Sequence, residues 1–181
     1  MIRTENELWR AIIPVVKAGV AGYAGVAVKR AYQPTTQADG KKPRLVLHRV
    51  SSRRYGFQGR RQERKCGEDD EIRIFEIETW RKEDTFQANA LVDRKPDDEA
   101  FTAKDLLEAL GGRLQGDAAI RALKKQGIGI LRITEIQETP YQDDREKWRF
   151  SVSLRFTLTY TQTTEREIPA AKSIEAAVHR V

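Results

Sequence analysis

Only one cysteine, Cys66, stands in the whole chain, together with two histidines, His48 and His179, and a single methionine. A lone cysteine excludes an intramolecular disulfide and any multi-cysteine metal site. Two histidines argue against a His-rich zinc centre or a His-based catalytic triad with its support. Long apolar runs are missing too. The longest uncharged stretch near the start, Ala18 to Val28, is too short for a bilayer and rich in Gly and Ala. With a mean hydropathy of -0.64, no membrane association is expected. Glu5 and Glu7 in the first turn argue against a signal peptide. The chain has 181 residues, 39% hydrophobic and 33% charged. That is one ordinary domain, or a domain with arms, too apolar to be disordered. A balance of 33 basic to 27 acidic residues gives +6, which permits contact with nucleic acid or acidic partners without demanding it.

Thr4-Glu5-Asn6-Glu7 has the form of a capping box and predicts a short helix through Leu8, Trp9, Ile12 and Ile13, which Pro14 kinks or restarts. Gly19, Gly22 and Gly25 do not match a dinucleotide loop, since no strand precedes them; they fit a helix end and a turn. Strands are expected over 25–32 and 44–51, a long one over 72–91, and another over 128–136. In the long strand the apolar parity slips between Ile74 and Phe75, which predicts a bulge or a passage between two environments. Residues 101–114 carry one apolar helical stripe, Ala103, Leu106, Leu107, Leu110 and Leu114. A short helix follows over 117–126, with Asp117 as its expected N-cap and Gly127 at C′. Trp148, Phe150, Val152, Leu154, Phe156, Leu158 and Tyr160 alternate with polar residues, the mark of a half-buried antiparallel strand. It is long enough to project beyond its own domain. Pro169 and the spaced apolar residues Ile174, Ala177, Val178 and Val181 suggest a helical end that docks on something.

The charge distribution is uneven. From Lys41 to Lys65 there are ten positive side chains and one negative, Glu63, and the acids Glu68, Asp69, Asp70 and Glu71 follow. A long hairpin or loop, basic on one arm and acidic at the turn, fits this. Two functions are open to it: contact with a nucleic-acid backbone, or pairing with acidic surfaces of a neighbouring subunit. Aromatic interleaving is thin, Tyr55 and Phe57 only, so the protein partner is favoured. The interface candidates are Arg49, Arg53, Arg54, Arg60, Arg61, Arg64, Lys65, Glu68, Asp69, Asp70 and Glu71.

Catalytic readings are weak. Glu76 and Glu78 share a strand face near Lys82 and Glu83, but the Asp strand and Glu-x-Lys strand of a metal-dependent nuclease are absent. Asp143-Asp144 reads as a solvated turn. Cys66, beside Arg64 and Lys65, has no nucleophile signature. His48 fits a core or interface position. No catalytic, cofactor or metal site is expected.

The order of elements carries a resemblance. The helix Lys104-Asp-Leu-Leu-Glu-Ala-Leu110 leads into Ala118-Ala-Ile-Arg-Ala-Leu-Lys-Lys125, then Gln126-Gly-Ile-Gly-Ile-Leu-Arg-Ile133, the polar Asp143-Asp-Arg-Glu-Lys-Trp-Arg149, and the strand Phe150 to Tyr160. Before them come an N-terminal helix, a Val-rich strand at 26–32, a Gln33-Pro34 turn and Pro43-Arg-Leu-Val-Leu-His-Arg49. Over residues 5–162 this resembles the neck and tail terminator proteins of tailed bacteriophages. The resemblance implies an α+β fold, a mixed, mainly antiparallel sheet packed by two helices. To that the residues add a long basic arm over 41–71 and helical extensions at both ends. The resemblance implies a terminator-like domain over 1–162, leaving 163–181 as a docking tail. It implies a non-enzymatic virion protein of the neck, without cofactors and assembled in the host cytoplasm. Its partners would be its own copies in a hexameric ring, the tail tube protein, head-tail connector proteins, and double-stranded DNA passing through without sequence-specific binding. The alternative is a nucleic-acid-binding module acting through the basic arm.

Overall fold

The computed structural model describes residues 2–31, 43–66, 72–92, 101–142 and 148–168, the side chains of 66, 72 and 141–150 excepted. Among these residues three helices pack on a six-stranded mixed sheet. The elements are α1 (Glu5–Gly19), β1 (Ala27–Arg30), β2 (Arg44–Cys66), β3 (Ile72–Leu91), α2 (Ala103–Gln115), α3 (Asp117–Lys125), β4 (Ile128–Ile133), β5 (Gln137–Gln142) and β6 (Trp148–Ile168). The strands lie in the order β1-β2-β3-β6-β4, and β5 also pairs with β6. Only β1 and β2 run parallel; the remaining pairs are antiparallel. The α+β class expected from the sequence is borne out. No helix among the described residues is long and apolar enough to cross a membrane.

Local signals set the helix ends. The Thr4 hydroxyl accepts from the Glu7 amide at 3.2 Å, while the Glu7 carboxylate accepts from the Arg3 amide, one residue before the cap. Pro14 sits inside α1, which runs on unbroken to Gly19. In α2 the box is complete: Thr102 accepts from the Asp105 amide, and the Asp105 carboxylate accepts from the Thr102 amide. Asp117 is not the N-cap of α3. Gly116 holds that place, without a side-chain bond, and Asp117 stands in the first turn. Gly127, with φ of +72°, fills the C′ position as expected.

One face of the sheet carries the core. Leu45, Leu47, Phe86, Ala88, Ala90, Val152, Leu154, Phe156, Leu158 and Tyr160 meet the apolar stripes of α1 and α2 there. Val152 to Leu158 and the four leucines of α2 are buried, as their alternation and spacing predict. The side chains of Trp148 and Phe150 lie outside the described residues. α1 is part of this layer, burying Leu8, Trp9, Ile12, Val15 and Val16.

Half of the sheet projects past the helices. β3 and β6 pair in unbroken register from Ala90–Val152 to Ile74–Ile168, and β2 accompanies β3 up to Cys66–Ile72. Beyond Asp84 this leaves a three-stranded arm of β2, β3 and β6, about 40 Å long at 3.3 Å per residue. The parity slip at Ile74 and Phe75 is the passage between environments, not a bulge in β3. In the arm neither face is covered by the helices, so exposed residues such as Arg73 and Arg81 alternate with partly buried ones, and few side chains, Ile77 and Thr163 among them, are buried. The irregularities fall on β2 instead, between Arg49 and Ser51 and between Tyr55 and Gly59. β6 continues past Gln162 to Ile168. The polar segment before it holds a strand the sequence reading did not contain, β5. The expected Gln33-Pro34 turn, the acidic turn at 68–71, Asp143-Asp144 and the helical end after 168 lie outside the described residues.

Candidate interaction surface: the three-stranded arm

From Arg44 on, the basic stretch is strand β2, and several of its cations meet side chains of β3 and β6, while Arg61 pairs within β2 itself. On the helix-bearing face, Arg54 stacks over Trp80 with 4.5 Å between guanidinium and ring centre, and Arg60 meets Glu78 at 3.4 Å. On the open face, Arg53 pairs with Glu83, Arg61 with Glu63 at 2.8 Å, and Lys65 with Glu165. The Lys65 ammonium also lies 4.8 Å from the Phe75 ring centre. Glu165 is held below the usual carboxylate range by that lysine. Arg64 is exposed at the register of Ile74 and Ile168.

These pairs correct one inference from sequence. Ten cations beside a single acid suggest a segment that needs anions from outside. Over 51–66, 72–84 and 158–168 the folded arm holds ten cations and seven acids, because β3 and β6 bring Glu76, Glu78, Glu83, Asp84, Glu165 and Glu167 alongside β2. Exposed pairs of this kind add little stability each. They nevertheless reduce the self-repulsion that would splay the strand, and Ile77, in register with Arg61 and Glu165, is buried at 4% exposure.

Arg49 is a different case. It sits at the root of the arm on the core face. Its Nη1 donates to Asp84 Oδ2 at 3.3 Å and its Nη2 to Glu5 Oε2 at 3.2 Å. Asp84 is fully buried, and the Tyr160 hydroxyl donates to the same Oδ2 at 2.9 Å. Burial, and then the Asp84 carboxylate, push the Tyr160 hydroxyl well above its ordinary value. Glu5 accepts from Trp9 Nε1 at 3.0 Å and pairs with Arg30. The Trp9 bond first, with Arg49 and Arg30 behind it, holds the Glu5 carboxyl below its usual range. This network ties α1 to the point where the arm leaves the core. Sequence reasoning missed it, because Asp84 reads as one more charge in a polar strand.

Glu76 and Glu78 do share a face, but among the described residues no three His, Cys, Asp or Glu side chains gather where they could hold a metal. His48 is half-buried opposite Gln87. Phe57, noted in the sequence only as a thin aromatic signal, is fully exposed in the Tyr55–Gly59 bulge of β2.

Residues 7–170 match the family model of the E217 gateway protein gp29. The chain belongs to this gateway family. Among solved structures, it is similar to the sheath/tube terminator of PVC, an extracellular contractile injection system, in the extended state. Identity is 12%, the TM-score is 0.51, and the likeness covers 100% of this chain and 64% of that one. At that identity the likeness is one of fold, and this chain spans under two thirds of the terminator's length. No curated protein matches by sequence. The resemblance to a phage protein family read from the order of elements is borne out by the gateway match, and the fold it implies by the likeness to the terminator. The gateway match also reaches beyond residue 162, to 170.

Proposed function

We propose that the chain is a structural virion protein of a tailed phage neck. It forms a hexameric ring that terminates the tail tube and joins it to the head-side connector, and DNA passes through the lumen without sequence-specific binding. It assembles in the host cytoplasm and performs no catalysis. The match to the gateway family over residues 7–170 carries this reading. The geometry agrees with it: an arm three strands wide stands clear of its own core, and β2 beyond Leu47 pairs, among the described residues, only with β3. Such a surface suits a subunit completed by its neighbours. Arg53, Arg54, Arg60, Arg61, Arg64 and Lys65, with the acids Glu68, Asp69, Asp70 and Glu71 that follow them in sequence, are proposed to serve contacts between subunits and between rings. Residues 163–181 are proposed to dock on a partner. Arg49 is set apart, since it is engaged within the chain. The nucleic-acid module is the weaker reading, because the arm's cations are matched by acids of β3 and β6.

Negative-stain images of the purified protein test this. Closed rings of six are expected, with weak DNA binding of shallow salt dependence. Monomers that bind free DNA with a steep salt slope would replace it with the nucleic-acid reading.

A further inference from the structure

Phe57 is 100% exposed. It sits in a stretch of β2 where Gly56, Phe57 and Gln58 oppose Trp80 alone, between the pairs Tyr55–Arg81 and Gly59–Thr79. Gly56 takes φ of +73°, a left-handed turn that a side chain would strain. The bulge therefore presents the phenyl ring outward from a strand held firmly on both sides. A bare aromatic ring on a rigid base is the form of an interface anchor.

The opposite edge of the sheet offers a place for it. An open pocket of about 300 Å³ lies between the end of α2, α3 and β4, with Leu114, Ile120, Ile130, Leu131 and Ile133 on its apolar side and Gln115 and Arg132 on its polar side. Ile120 and Leu131 are 43% and 53% exposed on its rim. Leu131 stands in a bulge of its own, between Ile130 and Arg132. An enclosed cavity of about 150 Å³ accepts a benzene ring, so the open pocket has room for a phenyl side chain against its five apolar residues. β3 and β6 separate β2 from β4. Three strand spacings amount to roughly 14 Å, so Phe57 cannot reach the pocket of its own chain.

Resting on the ring reading above, we propose that Phe57 of one copy seats in the pocket between α3 and β4 of the next. Ring and pocket differ and occupy opposite edges, so the contact is heterologous. Repeated by rotation, a heterologous contact closes into a ring where the rotation divides a full turn and runs on into a filament where it does not, whereas a self-complementary patch would stop at a two-fold dimer.

Phe57→Asp and Leu131→Asp test this by sedimentation velocity, alone and mixed. Both positions are exposed, so at a concentration too low for assembly their thermal unfolding should match that of the parent chain. Ile120→Asp replaces Leu131→Asp if the latter melts early. Each variant alone should fail to form rings. Mixed, they should give a one-to-one heterodimer, since Phe57 of the Leu131→Asp copy still meets the intact pocket of the Phe57→Asp copy. The milder Phe57→Ala should raise the concentration for half-assembly about 30-fold or more. Rings from Phe57→Asp equal to those of the parent chain would overturn the proposal, and so would a mixture that stays monomeric. Normal rings that no longer bind a tail or connector protein would assign Phe57 to that partner and also overturn it. A parent chain that forms no ring would instead overturn the ring reading, and this contact with it.

Discussion

Replacing Arg49 by Met should weaken the fold far more than its position in a basic cluster suggests. The Asp84 carboxylate is fully buried and, among the described residues, has two donors, Arg49 at 3.3 Å and the Tyr160 hydroxyl at 2.9 Å, both on Oδ2, and no partner at Oδ1. Removing the cation leaves a buried charge with one neutral donor. Breaking a buried pair costs about 3–5 kcal/mol. The Arg49 side chain is 30% exposed, so solvent screens part of its effect, and about 2–3 kcal/mol is expected. Glu5 loses a partner as well, but its side chain is 41% exposed and Arg30 remains. Asp84→Asn should cost about 1 kcal/mol, since the amide oxygen still accepts from Tyr160. The double variant should be no worse than the milder single one, because removing both charges lifts the desolvation penalty. Urea unfolding at one fixed protein concentration, run on all four proteins, measures the coupling. Free energies that add within about 0.5 kcal/mol would refute the account of Asp84 as a buried partner of Arg49.

Leu154→Ala and Leu107→Ala should each cost about 2–5 kcal/mol, as both are buried between sheet and α2; changes under about 0.5 kcal/mol in both would break the fold assignment. The folded Glu5 carboxyl titrates below its ordinary value of 4.5, so its contribution is present above that value and lost as pH falls through the folded one. Glu5→Gln should flatten this acid limb of the stability profile. The Tyr160 hydroxyl is shifted upward, so its contribution is intact below the ordinary tyrosine value of about 10 and lost as pH rises through and beyond it. Tyr160→Phe should remove that alkaline limb in a pH series of urea midpoints. Changing Arg53, Arg54, Arg60 and Arg61 together to Glu should prevent ring formation and also loosen the arm within the monomer, since Arg53 and Arg60 face Glu83 and Glu78. Backbone hydrogen exchange would show faster exchange in β2, and normal rings from this variant would remove the arginines from the interface.

The core was legible because its signals are local. The alternation from Val152 to Leu158 and the stripe from Leu106 to Leu114 each name their buried face without knowledge of the partner. The span of β3 over 72–91 was legible for the same reason. The arm was half legible. Its two strands follow from the hairpin pattern, but the fate of its charges depends on register. Arg60 meets Glu78 and Lys65 meets Glu165 across strands distant in sequence, so a count along one segment overstated the unpaired charge. β5 escaped notice because its strand, Gln137 to Gln142, carries polar residues and Pro140 and takes its order from pairing with β6. The Asp84 network and the pocket beside Leu131 both depend on which strands become neighbours.

Native mass spectrometry of the purified full chain tests the central claim most directly. The account predicts a closed assembly at six times the 20.7 kDa subunit mass, with no larger open series. A chain that remains monomeric at every concentration, with and without tail tube protein, would contradict it.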